Sequence, residues 1–398
     1  MEHKTRIKGN VHYVGVNDRN KHRFEAMWPL PYGVSYNSYL IDDEMVALVD
    51  TVDICYFEVY LRKIKQVIGE RPINYLIINH MEPDHSGSIR LIKQHYPEII
   101  IVGNKQTFGM IEGFYGVTGE QYLVKEGDFL ALGHHKLRFY MTPMVHWPET
   151  MMTFDETDGV LFSGDGFGCF GTVDGGFLDT RINVDKYWGE MVRYYSNIVG
   201  KYGSPVQKAL QKLGGLPISA ICSTHGPVWT ENIAKVIGIY DRLSRYDADE
   251  GVVIAYGSMY GNTEQMAEAI AEELSAQGVK NIVMHNVTKS HPSYIIADIF
   301  RYKGLIIGSP TYSNQIFPEV EALLSKILLR EVKGRYLGYF GSFAWAGAAV
   351  KRLAEFAEKS KFELIGDPVE MKQAMKDLTY TQCENLARAM ADRLKKDR

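Results

Sequence analysis

Side chains able to hold a metal crowd into the run His80-Met81-Glu82-Pro83-Asp84-His85, directly after the apolar segment Ile73-Asn74-Tyr75-Leu76-Ile77-Ile78-Asn79. A strand sends successive side chains to opposite faces, so imidazoles and carboxylates this close in sequence converge only where the strand breaks into a loop. Pro83 helps to end it. Three later apolar runs finish on the same kind of residue: 137–145 reaches His146, 159–164 reaches Asp165, and 218–224 reaches His225. Imidazoles suit zinc, iron, copper or nickel, while carboxylates add hard oxygens that favour iron or manganese. The pattern predicts a dinuclear transition-metal site at strand ends. His3, His12, His22, His95, His134, His135, His285 and His291 follow no such run and are read as surface or loop residues.

A second chemistry sits in the other half. The strand-like run 251–256 leads into Gly257-Ser258-Met259-Tyr260-Gly261-Asn262-Thr263 and then a helical segment, 264–277, with Met266, Ala267, Ile270, Ala271 and Leu274 on one face. Backbone N–H groups at a helix start attract an anion, and Ser258, Asn262 and Thr263 can donate hydrogen bonds to its oxygens. The loop holds no Lys or Arg and no Gly-x-x-x-x-Gly-Lys, which argues for a phosphate monoester such as that of FMN over a nucleoside triphosphate. Two further strand-end loops follow, Ser309-Pro310-Thr311-Tyr312-Ser313-Asn314 and Gly341-Ser342-Phe343-Ala344-Trp345-Ala346-Gly347. Pro310, Thr311, Asn314, Ser342, Phe343, Ala344 and Gly347 are expected around a flat flavin ring, with Tyr312 and Trp345 offering aromatic faces.

These loops need elements behind them. Helical stretches at 294–301, 318–329, 348–360 and 371–393 alternate with strands, which predicts a parallel, doubly wound sheet with its ligand at the carboxyl ends. A chain of 398 residues exceeds one ordinary core. The break is expected near the charged stretch 245–251, giving domains 1–248 and 249–398. Net charge is −4 without a basic tract, so nucleic acid is not an expected partner. No signal-like segment and no run long enough to cross a bilayer is seen, so the expected location is cytoplasmic, away from membrane. Cys55, Cys169, Cys222 and Cys383 are widely spaced, form no Cys-x-x-Cys pair, and are read as buried small side chains.

The order His-x-Glu-x-Asp-His, then His, Asp and His, resembles the metallo-β-lactamase superfamily, whose hydrolases carry His-x-His-x-Asp-His. Here Glu82 replaces the second His, so Glu82, Asp84 and Asp165 make the site more negative and suit cations that cycle to higher charge. Zinc has no redox chemistry. With the flavodoxin-like second half, the chain resembles the flavodiiron proteins, also called A-type flavoproteins, over essentially its whole length.

The resemblance implies an α/β fold, an N-terminal metallo-β-lactamase-like αββα sandwich followed by a flavodoxin-like sheet. It implies one iron held by His80, Glu82, His146 and Asp165, and a second held by Asp84, Asp165 and His225, with Asp165 bridging. His85 matches the motif too, although in this family it is not always a direct ligand. The implied activity passes electrons from FMN to the diiron centre, which reduces dioxygen to water, nitric oxide to nitrous oxide, or both. With no rubredoxin-like Cys pair, a separate donor such as rubredoxin or a flavin reductase is expected. The family also suggests a head-to-tail homodimer, or a tetramer of such pairs. Trp147 and Tyr195 are candidates for lining the gas pocket, Tyr195 as a proton or hydrogen-bond donor. Two readings compete: a zinc hydrolase with an accessory flavodoxin domain, and a non-catalytic redox or gas sensor.

Overall fold

A computed structural model describes residues 5–397, so His3 lies outside the described part. The chain divides into two compact units, one running to Tyr195 and resuming over Tyr202–Ser244, the other formed by Ser196–Lys201 and the chain from Arg245 onward.

The first unit contains two large sheets, beside two short two-stranded pairings, Val16–Asp18 with Val34–Tyr36 and Arg23–Phe24 with Trp28–Pro29. One has seven strands, in the order Arg6–Lys8, Val11–Tyr13, Tyr39–Ile41, Ala47–Val49, Tyr75–Ile77, Ile100–Gly103 and Gln121–Leu123; the other has five, Phe129–Ala131, Lys136–Met141, Met151–Asp155, Val160–Gly164 and Ala220–Ser223. Val49, Ile77 and Val102 from the first share one core with Phe139, Met151, Phe162 and Cys222 from the second. Helices carry apolar stripes at the helical period: Phe57–Ile68 buries Phe57, Tyr60, Ile64 and Ile68. The sandwich's strand ends then carry the polar cluster described below.

The second unit is a parallel sheet ordered Ile282–Asn286, Asp249–Tyr256, Tyr302–Tyr312, Tyr336–Phe343 and Glu363–Leu364, with Val369–Lys372 also pairing to Tyr336–Phe343. Its central strands are buried almost throughout, as parallel strands covered on both faces must be. Helices Asn262–Ala276 and Asp377–Lys395 share a core with this sheet through Met266, Ile270, Leu386 and Met390.

Several expectations are corrected. The helix expected over 371–393 begins only at Asp377, because Val369 and Met371 are buried while Glu370 and Lys372 are exposed, the two-residue period of a strand. The run expected to deliver His146 ends as a strand at Met141, so His146 sits in the loop before Met151–Asp155. His12 and His135 are buried, not surface residues, bonded to Thr5 and Asp155 respectively. Cys55 is exposed, unlike the other three cysteines.

Candidate metal centre and flavin pocket

Pro83 does not end the strand, which already stops at Ile77. It opens the short helix Pro83–Ser86, which swings Asp84 and His85 inward. Val160–Gly164 and Ala220–Ser223 are parallel neighbours, so Asp165 and His225 leave the sheet at the same end. Together with His80, Glu82 and His146 these residues form a buried cluster, none of them more than 8 % exposed.

The cluster has two halves joined by one carboxylate. Asp165 Oδ2 lies 3.0 Å from His146 Nε2 and 3.6 Å from His80 Nε2, and Glu82 Oε2 lies 3.2 Å and 3.4 Å from the same two nitrogens. Asp165 Oδ1 faces the other half, 3.2 Å from His85 Nε2 and 3.7 Å from His225 Nε2. Asp84 Oδ2 is 3.4 Å from each of these two nitrogens. His85 and His225 approach to 2.9 Å through their Nε2 atoms, so His85 faces the second half as directly as His225 does.

Outside interactions aim these groups. Glu149 Oε1 accepts from Met81 N–H at 2.8 Å and lies 2.9 Å from His80 Nδ1, which turns His80 Nε2 into the cluster. The Ser35 carbonyl lies 2.8 Å from His225 Nδ1 and does the same there. Thr224 donates to Asp165 Oδ1, and Asp50 accepts from the backbone N–H of Asn79 and His80. Glu149, Ser35, Thr224 and Asp50 were not read from sequence; Glu149 and Thr224 lie within three residues of His146 and His225, whereas Ser35 and Asp50 lie far from every ligand along the chain and are brought in only by the fold.

Electrostatics show what the cluster requires. Burial pushes Asp84 up to about 8, with the charge of Glu82 adding to it. Burial disfavours the His146 cation, yet Asp165 and Glu82 outweigh it and raise His146 to about 9. Burial and His85 push His225 down. His80 Nε2, Glu82 Oε2 and both Asp84 oxygens are buried without a hydrogen-bond partner, an arrangement costing roughly 1–3 kcal/mol per group unless something else ligates them. Inward-turned imidazoles, three buried carboxylates and these orphaned atoms fit a pair of metal cations.

An aromatic wall surrounds the cluster. Trp147 stands perpendicular to His80 with ring centres 5.4 Å apart, and Phe24 lies 5.2 Å from His225. Tyr194, not singled out in the sequence, lies 5.6 Å from His225, whereas Tyr195 packs edge-on against Tyr240. Consecutive helical residues point about 100° apart, which sequence alone did not orient.

In the second unit, the three loops enclose a cavity of about 430 Å³. Met259, Tyr260, Asn262, Pro310, Thr311, Tyr312, Asn314, Ser342, Phe343, Ala344 and Trp345 line it, joined by Ser313, Ala346 and Gln373. Four candidates stand off this lining. Ser258 Oγ accepts from Gly261 N–H at 3.1 Å, Thr263 Oγ1 lies 2.9 Å from Ser342 Oγ, Gly261 adopts φ 88°, and a Cβ on Gly347 would meet Glu370 Oε1 at 2.5 Å. They shape the loops rather than the surface. The size suits a small cofactor, and the mix of apolar faces with loop hydroxyls and backbone suits a flavin phosphate.

A sandwich with a buried two-part metal cluster, followed by a flavodoxin-like sheet with a strand-end cavity, defines a two-centre redox protein. Residues 34–226 match the ODP family beta lactamase model and residues 254–385 the flavodoxin model. The anaerobic nitric oxide reductase flavorubredoxin of Vibrio vulnificus is 32 % identical over 363 residues, spanning 90 % of this chain and 73 % of that protein. Among solved structures, rubredoxin oxygen:oxidoreductase from Desulfovibrio gigas superposes with a TM-score of 0.93 at 31 % identity, covering 97 % of both chains. The flavodiiron protein of Giardia intestinalis gives 0.91 at 26 % identity, covering 98 % of this chain and 97 % of that one. The chain belongs to the flavodiiron proteins and is an oxidoreductase.

Proposed function

We propose that this chain takes electrons on FMN, bound in residues 249–398, and passes them to a diiron centre in residues 1–248 that reduces dioxygen, nitric oxide or both. The observation that carries the reading is Asp165, whose two oxygens face two separate groups of buried ligand atoms. His80, Glu82, His146 and Asp165 would hold one iron; Asp84, Asp165 and His225, with His85 in the same group, would hold the other. When bound, the irons supply reversible redox change and positions for a diatomic gas, and FMN accepts electrons singly or in pairs.

The chain's own residues do the rest. Glu149 and the Ser35 carbonyl hold His80 and His225 in orientation, so little reorganisation accompanies each turnover. Trp147 and Phe24 exclude bulk water from the cluster. The pocket hydroxyl assigned by sequence to Tyr195 is better placed on Tyr194, whose phenol is buried and whose ring lies on His225.

The nitric oxide reductase and the oxygen oxidoreductase named above support a reductase over a zinc hydrolase or a silent sensor. Dioxygen is placed first of the two gases, and neither a single residue nor the architecture decides between them. The test is to quantify iron, zinc and FMN, reduce the protein anaerobically, and compare the rates with each gas. Zinc with hydrolytic activity would overturn the class. A nitric oxide rate more than about tenfold above the dioxygen rate, about 1.4 kcal/mol of barrier, would overturn only the preference.

Electron transfer needs FMN near iron, and a head-to-tail homodimer, or a tetramer of such pairs, meets this by letting each FMN serve the partner's irons in a closed C₂ arrangement. A mixed dimer of Asp84→Ala and Asn262→Ala chains should recover partial activity; an inactive mixed dimer would locate transfer within one chain. The donor is a separate protein such as rubredoxin or a flavin reductase. A cytoplasmic setting is part of the proposal; among the described residues no helix is long and apolar enough to cross a membrane.

A further inference from the structure

Outside both pockets, the flavodoxin-like unit brings together a serine, a histidine and an aspartate. His285 lies on the edge strand Ile282–Asn286, Ser290 in the turn that follows, and Asp298 on the helix Pro292–Arg301. His285 Nε2 is 2.9 Å from Asp298 Oδ2, and His285 Nδ1 is 3.0 Å from Ser290 Oγ. The carboxylate accepts the ring proton at Nε2 and so fixes the tautomer. Nδ1 is left as the acceptor for the serine hydroxyl. The side chains of His285 and Asp298 are 11 % and 23 % exposed and Ser290 is half-buried, so solvent-borne reagents reach the serine while the pair behind it is sheltered. A brace between strand, turn and helix would need any hydrogen-bonding trio; this one has the order hydroxyl, imidazole, carboxylate that activates a nucleophile.

We propose that Ser290 is a base-activated nucleophile and an acylation site for small activated carboxylic esters. Ser290 Oγ attacks the carbonyl carbon and forms a new C–O bond while its proton passes to His285 Nδ1. The bond to the leaving alcohol breaks, and the departing alkoxide takes that proton from Nδ1. No electrons are gained or lost. Asp298 stabilises the transient imidazolium.

The surroundings also set how far the reaction goes. Ser290 N–H bonds to the Asn286 carbonyl, Ser293 N–H to His291 Nδ1 and Tyr294 N–H to the His291 carbonyl, and Pro292 has no N–H. These nearby donors are engaged, so the oxyanion stabilisation worth about 10²–10³ in rate is not supplied by them. An activated ester, with its good leaving group, can acylate the serine without that help, whereas the alkyl ester it leaves is far less reactive, so the expected product is a lasting acyl-serine, one per chain, and not rapid ester turnover.

The test treats the cofactor-loaded protein with p-nitrophenyl acetate and maps acetylation by tandem mass spectrometry. Ser290 should be acetylated at least about tenfold faster than other serines, with Asp298→Asn slowing it by about tenfold or more and Ser290→Ala abolishing it. Equal labelling of Ser290 and Ser293, or an Asp298→Asn protein labelled as fast as the unmodified one, would overturn the proposal. Should Ser290→Ala fail to fold, the acetylation site in the unmodified protein decides by itself.

Discussion

In the metal cluster every candidate ligand is a charged or imidazole side chain and none exceeds 8 % exposure, whereas the flavin cavity is walled partly by Tyr260 and Trp345, which are 90 % and 82 % exposed. The first site stores its binding energy in advance: carboxylates and imidazoles are already desolvated and aimed by Glu149, Ser35 and Thr224. The second stores it in backbone shape, with left-handed Gly261 opening the helix and aromatic rings standing by to cover a ligand. Losing a metal ligand therefore strands buried charge, while losing a flavin contact removes one surface among many.

This contrast can be broken most sharply at Asp165. Asp165→Ala removes the carboxylate shared by both halves, so metal analysis should show both ions lost while FMN absorbance stays near one per chain. Loss of FMN as well, in a folded protein, would defeat the separation of the two sites. Next in size is Glu149→Ala, which frees His80 Nδ1 and Met81 N–H without touching a ligand atom. It should weaken metal binding by roughly 10–100-fold in a competition assay with a chelator, and leave FMN affinity unchanged.

On the flavin side, Gly261→Val forces a β-branched residue to φ 88°. Strain of about 1–2 kcal/mol at the loop should raise the FMN dissociation constant about tenfold, with metal content unaffected. The smallest effect lies away from either site. Burial disfavours the His135 cation, but Asp155 at 2.9 Å, aided by Asp158 and Asp43, holds its pKa above the usual 6.5. A raised pKa in the fold means this stabilisation is complete below about pH 6.5 and fades as pH rises through the folded value. His135→Gln should flatten that slope in thermal unfolding followed from pH 5 to pH 9.

Sequence and structure agree best where local chemistry is dense. The run from His80 to His85, Asp165 after 160–164 and His225 after 220–223 were legible because strand ends with ligand types leave few alternatives. The strand-to-helix position of the Gly, Ser, Asn and Thr loop was legible, but not that Ser258 and Thr263 turn to Gly261 and Ser342 within the protein. The edge strand Val369–Lys372 was less so, since four alternating residues beside a helix read as its first turn. Tyr194 and Tyr195 could not be told apart, because rotation about a helix axis is set by what packs against it.

The residue types, their order and their spacing determined a strongly negative cluster of metal-ligand types at strand ends and a separate glycine- and hydroxyl-rich loop between a strand and a helix; these follow from chemistry within a few residues. Only the tertiary structure decided that Asp165 turns one oxygen to each half of the cluster, that Glu149 aims His80 from across the sandwich, and that Ser290, His285 and Asp298 meet. Each of those contacts joins groups on different elements, and their distances depend on how strands and helices pack, which no local pattern of residues specifies.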